Sequence, residues 1–293
     1  MINRITNQGL AVAAQRNLQL SLSTLSRLQE TASSLKRIGV PSDDPTGTAD
    51  SLRVRSQQNA VSQFSRNISD GNAWLTTVDT ALGQTGDIMK RVRDLTVQGA
   101  NDGALSPAQK EAVAVELESL RAELLTTANS KYMGRTVFAG NSDAGVAFND
   151  DLSFTGLGSA VERRINATTT IRVDADGAAT FGEGDDSVFA LVDNIISDLR
   201  AGVNVGARLT EIDDRVATIA GQRGAVGARQ AQVLKSQGAN MSETVSLEAQ
   251  RAEIEDVDLG KAILDLKAQE VSYQAALAVT ARALQPSLMD FLS

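Results

Sequence analysis

The sequence predicts a mainly α-helical protein: a long helical bundle or coiled coil made by its N- and C-terminal segments, with a small inserted β-rich domain. Three observations predict this fold. Apolar residues recur at alternating steps of three and four over most of the chain, as on a helix face that packs against another helix. Aromatic residues make up only 3% of the chain, so its apolar residues are mostly aliphatic. Heptad spacing stops between residues 141 and 187, where short β-branched runs replace it.

The first predicted helix carries a seam, meaning the apolar stripe by which a helix packs on a neighbour. This seam occupies positions 11, 14, 18, 21, 25, 28, 32 and 35, and its only polar member is Ser21. It ends before Gly39 and the turn cluster Pro41–Pro45. Asp43 and Asp44 in this cluster are predicted to cap the next helix, because negative charge opposes the dipole at a helix N-terminus.

Two more helices are predicted before the β-rich domain. The second helix is expected over residues 48–99, with its seam in residues 61–92. Ser106 and Pro107 predict the start of the third helix, since serine favours the N-cap and proline the first turn. The helical pattern of this third segment fades near residues 133–134.

Residues 141–187 are predicted to form the β-rich domain. Its β-branched or alternating runs cover residues 161–165, 168–173 and 179–181. Asp176-Gly177, between the last two runs, predicts a hairpin turn. A calcium loop beginning at Asp174 is the alternative, but its next ligand position holds Ala178, so we expect the turn and no metal site.

Helical spacing resumes after residue 187. In the last helix the apolar residues at three-four spacing are interrupted by the polar Glu270 and Thr280, and Pro286 ends or kinks the helix. Apolar residues of both terminal segments are expected to form an assembly interface: Leu18, Leu25, Leu28, Leu35, Leu259, Ile263, Leu266, Tyr273, Leu277, Leu284 and Leu288.

The two ends carry opposite charge. Residues 1–40 hold five basic residues and one acidic residue, whereas residues 252–293 hold three basic and seven acidic residues. Opposite charge and matching seams predict that the terminal helices pair with each other. Each seam is narrow and rich in alanine, so further copies around an axis would complete its burial. An ordinary intramolecular bundle is the alternative that periodicity leaves open.

Composition argues against several classes of function. The chain has no cysteine and no histidine, which excludes a cysteine nucleophile and thiolate metal sites and removes the commonest general base and metal ligand. Its net charge of −8 argues against binding to nucleic acid. No stretch approaches the 18 consecutive apolar residues of a membrane-spanning helix. We therefore predict a structural protein without catalytic residues, cofactor, metal site or membrane partner.

Several short motifs, in their order along the chain, resemble the flagellin superfamily of bacterial flagellar axial proteins. They are Leu35–Ile38, Pro41–Pro45 and Arg91–Gln98. Three further segments are more similar to the hook-associated protein 3 family, which forms the hook–filament junction, than to flagellins. These segments are Ser42–Gly47, the Phe-Ala-Gly motif within Gly134–Gly140, and the end of the chain, where Tyr273–Leu277 is followed by Ser287–Leu292.

This resemblance implies a structural role in which a ring of copies joins the hook to the filament. The implied partners are further copies of the chain, hook-associated protein 1, flagellin, a flagellar export chaperone that shields the C-terminal helix, and the type III export apparatus. The implied location is the extracellular flagellum, reached without a cleaved signal peptide. The alternatives are a flagellin filament subunit and a soluble helical adaptor without a flagellar role.

The predicted organisation has three parts. Residues 1–45 and 252–293 are expected to form inner axial helices that depend on assembly. Residues 46–140 and 188–251 are expected to form a helical bundle, and residues 141–187 an outer insert.

Overall fold

The structure, a computed structural model, describes residues 2–101, 105–156 and 158–283. The helices are α1 (Ile2–Ser34), α2 (Pro45–Gly99), α3 (Pro107–Ala128), α4 (Gly177–Phe181), α5 (Val188–Arg200), α6 (Arg208–Glu255) and α7 (Leu259–Ala283). The strands are β1 (Lys131–Tyr132), β2 (Arg135–Thr136), β3 (Glu162–Arg164) and β4 (Thr170–Arg172). The predicted fold class, mainly helical with a small β-rich insertion, is confirmed.

The chain divides into two compact units. One comprises residues 1–59 and 244–293, and the other comprises residues 60–243. We call them the terminal unit and the central unit. Helices α2 and α6 contribute residues to both. The three-part division given above stays a prediction.

Helix α2 begins where its capping residues place it. The Asp44 carboxylate accepts a hydrogen bond of 2.8 Å from the backbone N–H of Gly47, which confirms the predicted cap. The Asp43 carboxylate closes the preceding turn by accepting from the N–H groups of Gly39 and Val40. The start lies at Pro45, three residues earlier than the seam alone predicts, because proline fits the first helical turn.

The core of the central unit lies among α2, α3, α5 and α6. Helix α5 shows how the sequence builds it, since its apolar residues repeat at helical spacing and leave Arg200 exposed. The Ser187 hydroxyl caps α5 by accepting from the N–H of Ala190. The buried face of α5 comprises Val188, Phe189, Leu191, Val192, Ile195, Ile196 and Leu199.

The insertion shares this core. Phe148 lies 5.2 Å from Phe189 of α5 and 5.6 Å from Phe181 of α4, measured between ring centroids. Phe138 meets Phe181 edge-on at 5.1 Å. Such pairs add to the free energy gained by burying the rings. Aromatic residues are few in this chain, and the structure concentrates them where the insertion packs on the helices.

The strands form two antiparallel hairpins. Strand β3 pairs with β4, with Arg163 opposite Ile171, as the two β-branched runs suggest. Strand β1 pairs with β2 across Met133 and Gly134, both at positive φ. This second hairpin is not among the predicted elements, and Gly134 in a two-residue loop is the sequence signal that indicates it.

The hairpin predicted at Asp176-Gly177 is wrong. The Asp176 carboxylate accepts from the N–H of Ala179 at 3.1 Å and caps α4, so residues 179–181 are helical. Aspartate followed by glycine suits a helix cap as well as a turn, and tertiary packing of Phe181 favours the helix. Asp174 is fully buried and accepts from the Arg172 guanidinium at 2.7 Å. Within the described ranges, no three acidic side chains are grouped so as to hold a metal ion.

None of the helices in the described part of the chain is both long enough and apolar enough to cross a membrane.

Candidate functional site

Helices α1 and α7 of the terminal unit pack against each other. They run antiparallel, because Lys36 bridges Asp256 near one end and Ser21 contacts Gln269 farther along. The α1 residues that face α7 are half-buried and repeat at steps of three and four, whereas the residues between them are mostly exposed. They are Ala14, Leu18, Ser21, Leu25, Leu28 and Ala32, all members of the predicted seam.

The seam of α7 differs in part from the predicted one. Leu266 and Tyr273 are half-buried as expected. Leu259, Ile263 and Leu277 lie beside the seam, where their side chains are between 43% and 49% exposed. The α7 residues that are buried or half-buried along the contact are Ala262, Leu266, Gln269, Tyr273, Ala276 and Thr280.

Another predicted interface residue, Leu35, lies outside this packed seam. Leu35 follows the last residue of α1 and has a φ of 58°, a left-handed conformation that ends the helix. Its side chain is half exposed, and its carbonyl accepts from the N–H of Val257 at 3.2 Å. Leu284 and Leu288 lie outside the described residues.

A polar pair interrupts the apolar seam. The Gln269 amide nitrogen donates to the Ser21 hydroxyl at 2.9 Å and to the Ser21 carbonyl at 3.1 Å. Among the described side chains of α1 and α7, no other hydrogen bond joins one helix to the other. The polar member of the predicted α1 seam therefore has a matching polar member on α7.

The side of α7 turned away from α1 is also apolar. Leu264, Val271 and Val279 are 71%, 65% and 67% exposed, and Ala268 and Ala275 lie between them at helical spacing. We call these five residues the outer stripe. It extends for about 22 Å along the helix at 1.5 Å per residue. None of its five members is charged. Exposed apolar surfaces are typical of sites that contact another protein or a membrane.

A buried carboxylate lies where the helix pair ends. Glu255, only 3% exposed, accepts from the Ser51 hydroxyl at 2.5 Å and from two nitrogens of Arg55 at 2.7 and 2.8 Å. Lys36 Nζ lies 3.9 Å from the same carboxylate. The Arg55 guanidinium, with smaller contributions from Ser51 and Lys36, lowers the Glu255 pKa from 4.5 to about 2. The carboxylate therefore stays ionised although it is buried.

Backbone contacts surround this carboxylate. The N–H of Arg37 donates to the carbonyl of Glu255 at 2.7 Å, and the Arg37 guanidinium donates to the carbonyl of Ile254 at 2.8 Å. We call Ser51, Arg55 and Glu255, with the backbone pairing of residues 35–37 to 254–257, the clasp. It joins the α1–α2 turn, the start of α2 and the α6–α7 turn. The clasp has no signature in the sequence, because its polar members are separated by about 200 residues and form no local motif.

Opposite charge was predicted to help α1 and α7 pair, but ion pairs do not contribute directly to their contact. The helices pair as expected, but no ion pair joins the side chains described on α1 to those described on α7. Arg16 and Arg27 of α1 and Asp265 of α7 are exposed. Ion pairs of this region lie in and beside the clasp and, between Lys267 and Glu270, within α7. The seam itself is held by apolar packing and the Ser21–Gln269 pair.

Two family models match the chain. The bacterial flagellin N-terminal helical region matches residues 5–143, and the bacterial flagellin C-terminal helical region matches residues 209–292. Together the matches include most of α1 and all of α7.

Relatives align over nearly the whole chain. The flagellar filament 33 kDa core protein of Treponema phagedenis is 28% identical over 94% of both chains. Flagellin of Bacillus subtilis (strain 168) is 27% identical over 96% of both chains.

Two solved structures share the fold. A putative flagellar hook-associated protein from Vibrio parahaemolyticus superposes with a TM-score of 0.67 and 22% identity, over 73% of this chain and 100% of that chain. FlgL of Bacillus cereus gives a TM-score of 0.61 and 20% identity, over 68% of this chain and 99% of that chain.

Proposed function

This chain belongs to the flagellin family of structural flagellar proteins, and on that premise we propose that it forms the junction between the hook and the filament. In this proposal copies of the chain associate through α1 and α7 to form a ring. The ring connects the hook to the filament, which differ in mechanical properties. The chain acts as a structural component and not as an enzyme.

The observation that carries self-association is the outer stripe of α7. The α1–α7 seam already uses the opposite side of the helix, and the three large residues of the outer stripe are each more than 60% exposed. Burying a side chain of this size stabilises a contact by about 1.5–3 kcal/mol. A row of such residues therefore supports association with neighbouring copies.

Support for the junction, as opposed to the filament itself, comes from the Phe138-Ala139-Gly140 motif and from the fold shared with hook-associated proteins. Phe138 is fully buried against Phe181. Gly140 has a φ of 60°, and a Cβ atom there would lie 3.0 Å from the carbonyl oxygen of Ser159. The motif thus has a structural reason in this chain: phenylalanine fills the core and glycine makes the turn.

A filament subunit is the second candidate. The relatives that align over 94% or more of this chain include a filament core protein and a flagellin. The outer stripe would serve filament growth as well as ring formation, so self-association alone does not separate the two functions.

Deletion of the gene distinguishes the junction role from the filament role, and both of these from a helical adaptor without a flagellar role. We expect electron microscopy of the deletion strain to show hooks without filaments. We also expect the medium to contain flagellin that has been shed as monomers. Purified chain added to filament seeds should not extend them. Long filaments made of this chain alone would establish the filament alternative. A deletion strain that still assembles filaments and swims would contradict both flagellar roles.

Export and partners form the remaining part of the proposal. We propose that the chain leaves the cell through the type III export apparatus without a cleaved signal, and that an export chaperone covers the apolar surface of α7 beforehand. In the flagellum it would meet hook-associated protein 1 on one side and flagellin on the other. Chain recovered from sheared flagella should have the mass of the full sequence, and a lower mass would contradict export without cleavage.

A further inference from the structure

We propose that two polar contacts set the register in which α1 meets α7: the Ser21–Gln269 pair within the seam and the clasp around Glu255. The inference rests on the proposed function, because the register decides where the outer stripe lies relative to α1 when a neighbouring copy docks. In this view Ser21, Gln269 and Glu255 are positioning residues for assembly.

The apolar seam does not define its own register. On both helices its members recur at steps of three and four, and alanine or leucine fills five of the six positions on α1 and three of the six on α7. A slide of seven residues, about 10 Å at 1.5 Å per residue, therefore superimposes one apolar pattern on the next. Apolar packing is not directional, so the slid arrangement would bury similar residues.

The polar pair distinguishes the observed register from the slid ones. Ser21 faces Gln269 in the structure. After a slide of seven residues in either direction, Ser21 would face Ala262 or Ala276, and Gln269 would face Ala14 or Leu28. Each polar group would then lose its partner in a half-buried position. A single polar residue in an otherwise apolar helix contact specifies register in coiled coils by the same physics.

Other polar side chains along the seam do not provide this information. The hydroxyls of Thr24 and Thr31 donate to carbonyls of their own helix, at Leu20 and Arg27. Glu270 accepts from Lys267, one turn earlier on α7. These groups keep their partners whatever the position of the opposite helix, so they do not distinguish one register from another.

The clasp fixes the same register at the end of the pair. It connects residues 35–37, directly after α1, to residues 254–257, directly before α7. Ser21 lies 14 residues before Leu35 along α1, so the two contacts are separated by about 20 Å along α1. If the clasp opens, the segment of residues 35–44 is long enough to let α1 slide by about 10 Å, because an extended chain spans about 3.3 Å per residue. The two contacts therefore prevent the same movement from different positions.

The register can be measured by electron–electron double resonance on the full chain. The sequence has no cysteine, so Gln29→Cys and Ala278→Cys provide two unique, exposed spin-label sites. In the observed register the labelled positions are about 26 Å apart along the pair, and a slide of seven residues changes that separation by about 10 Å. The variants to compare are Ser21→Ala with Gln269→Leu, Glu255→Ala, and all three substitutions together.

We expect one dominant distance in the otherwise unchanged chain and a mixture of distances in the triple variant. The slid population should rise about tenfold relative to the observed register, as expected for loss of one to two net hydrogen bonds and the clasp. The exchange variant, Ser21→Gln with Gln269→Ser, keeps Glu255 and again places a glutamine opposite a serine. It should therefore show a single distance, like the unchanged chain. A triple variant that keeps the original distance, or that loses every defined distance, would overturn the inference. So would an otherwise unchanged chain that shows no dominant distance.

Binding of the same proteins to purified hooks tests the functional consequence separately. Variants with a mixed register should bind hooks several-fold more weakly than the unchanged chain. If the unchanged chain does not bind hooks at all, the proposed function fails whatever the measured distances. If it binds and the triple variant binds equally well, the register does not matter for assembly, and the inference fails while the proposed function stands.

Discussion

Arg55 and Glu255 lie 200 residues apart in the sequence and form a two-pronged ion pair, in which Nε and Nη2 of Arg55 donate to the two carboxylate oxygens of Glu255. The carboxylate is buried, whereas the side chain of Arg55 is 49% exposed. The pair thus joins the start of α2 to the end of α6. The negative charge of Glu255 is stabilised mainly by Arg55, because its carboxylate has little contact with solvent.

Glu255→Ala should open the clasp. The substitution removes the acceptor for Ser51 and Arg55, and we expect the local free energy of opening to fall by about 2 kcal/mol, less than for a fully buried pair because Arg55 is half exposed. Hydrogen exchange of the Arg37 and Val257 amides would measure this change. Glu253→Ala, at an exposed position of the same helix, is the matched control. Equal protection of these amides in both variants would contradict the role of Glu255.

The clasp should weaken in acid. The pKa of Glu255 in the folded chain, about 2, lies below the ordinary value of 4.5. The ionised carboxylate therefore stabilises the clasp at pH values above 4.5. That stability is lost progressively as the pH falls from 4.5 through about 2, because the open state takes up the proton first. Amide exchange followed from pH 6 to pH 2 would show the loss. Glu255→Gln should remove this part of the pH dependence, and an unchanged pH profile would argue against the assignment.

Val271→Asp should block assembly without unfolding the chain. The side chain lies in the outer stripe and is 65% exposed, so a carboxylate there remains hydrated until a neighbouring surface covers it. We expect binding to purified hooks to fall at least tenfold. Urea unfolding followed by fluorescence of Trp74, the single tryptophan and a core residue of the central unit, should be unchanged. Gln274→Asp adds the same charge outside the outer stripe, and an equal loss of binding there would count against the outer stripe.

Gly140→Ala should destabilise the central unit, whereas Gly86→Ala should stabilise it. At Gly140 the left-handed φ and the contact with Ser159 leave no unstrained place for a Cβ atom, and we expect a loss of about 1–3 kcal/mol. At Gly86, within α2, a Cβ atom meets no other group, and alanine should add about 0.5–1 kcal/mol. Urea unfolding of both variants would measure the difference. A stabilising effect at Gly140 would contradict the strain argument.

Helix α7 shows how far periodicity alone can be read. The sequence predicts an apolar helix with three-four spacing, and Leu266 and Tyr273 are half-buried as expected. The pattern also selects Leu259, Ile263 and Leu277, because α7 is apolar on more than one side. Small residues such as Ala262 lie in the contact because they let the helix backbones approach closely, and hydrophobicity by itself gives them little weight. The α1 seam was easier to predict, since its opposite side carries Arg16, Ser23 and Arg27.

Apart from the local β1–β2 hairpin, the parts that were not predicted depend on contacts between distant residues. No local pattern relates Ser51 or Arg55 to Glu255, so the clasp could not be recognised before the fold was known. The choice between a turn and a helix cap at Asp176 was decided by burial of Phe181, which is also a tertiary effect. Local signals that need no distant partner, such as the Asp44 cap and the Ser106-Pro107 start, were predicted correctly.

The Ser21–Gln269 contact joins residues that are 248 positions apart. When the chain is synthesised from its N-terminus, α1 is complete long before its partner helix exists. Long-range contacts of this kind form late, because the loop between them must close first. We therefore expect pairing of α1 with α7 to be a late step of folding, because the terminal unit stays incomplete until its last helix is available.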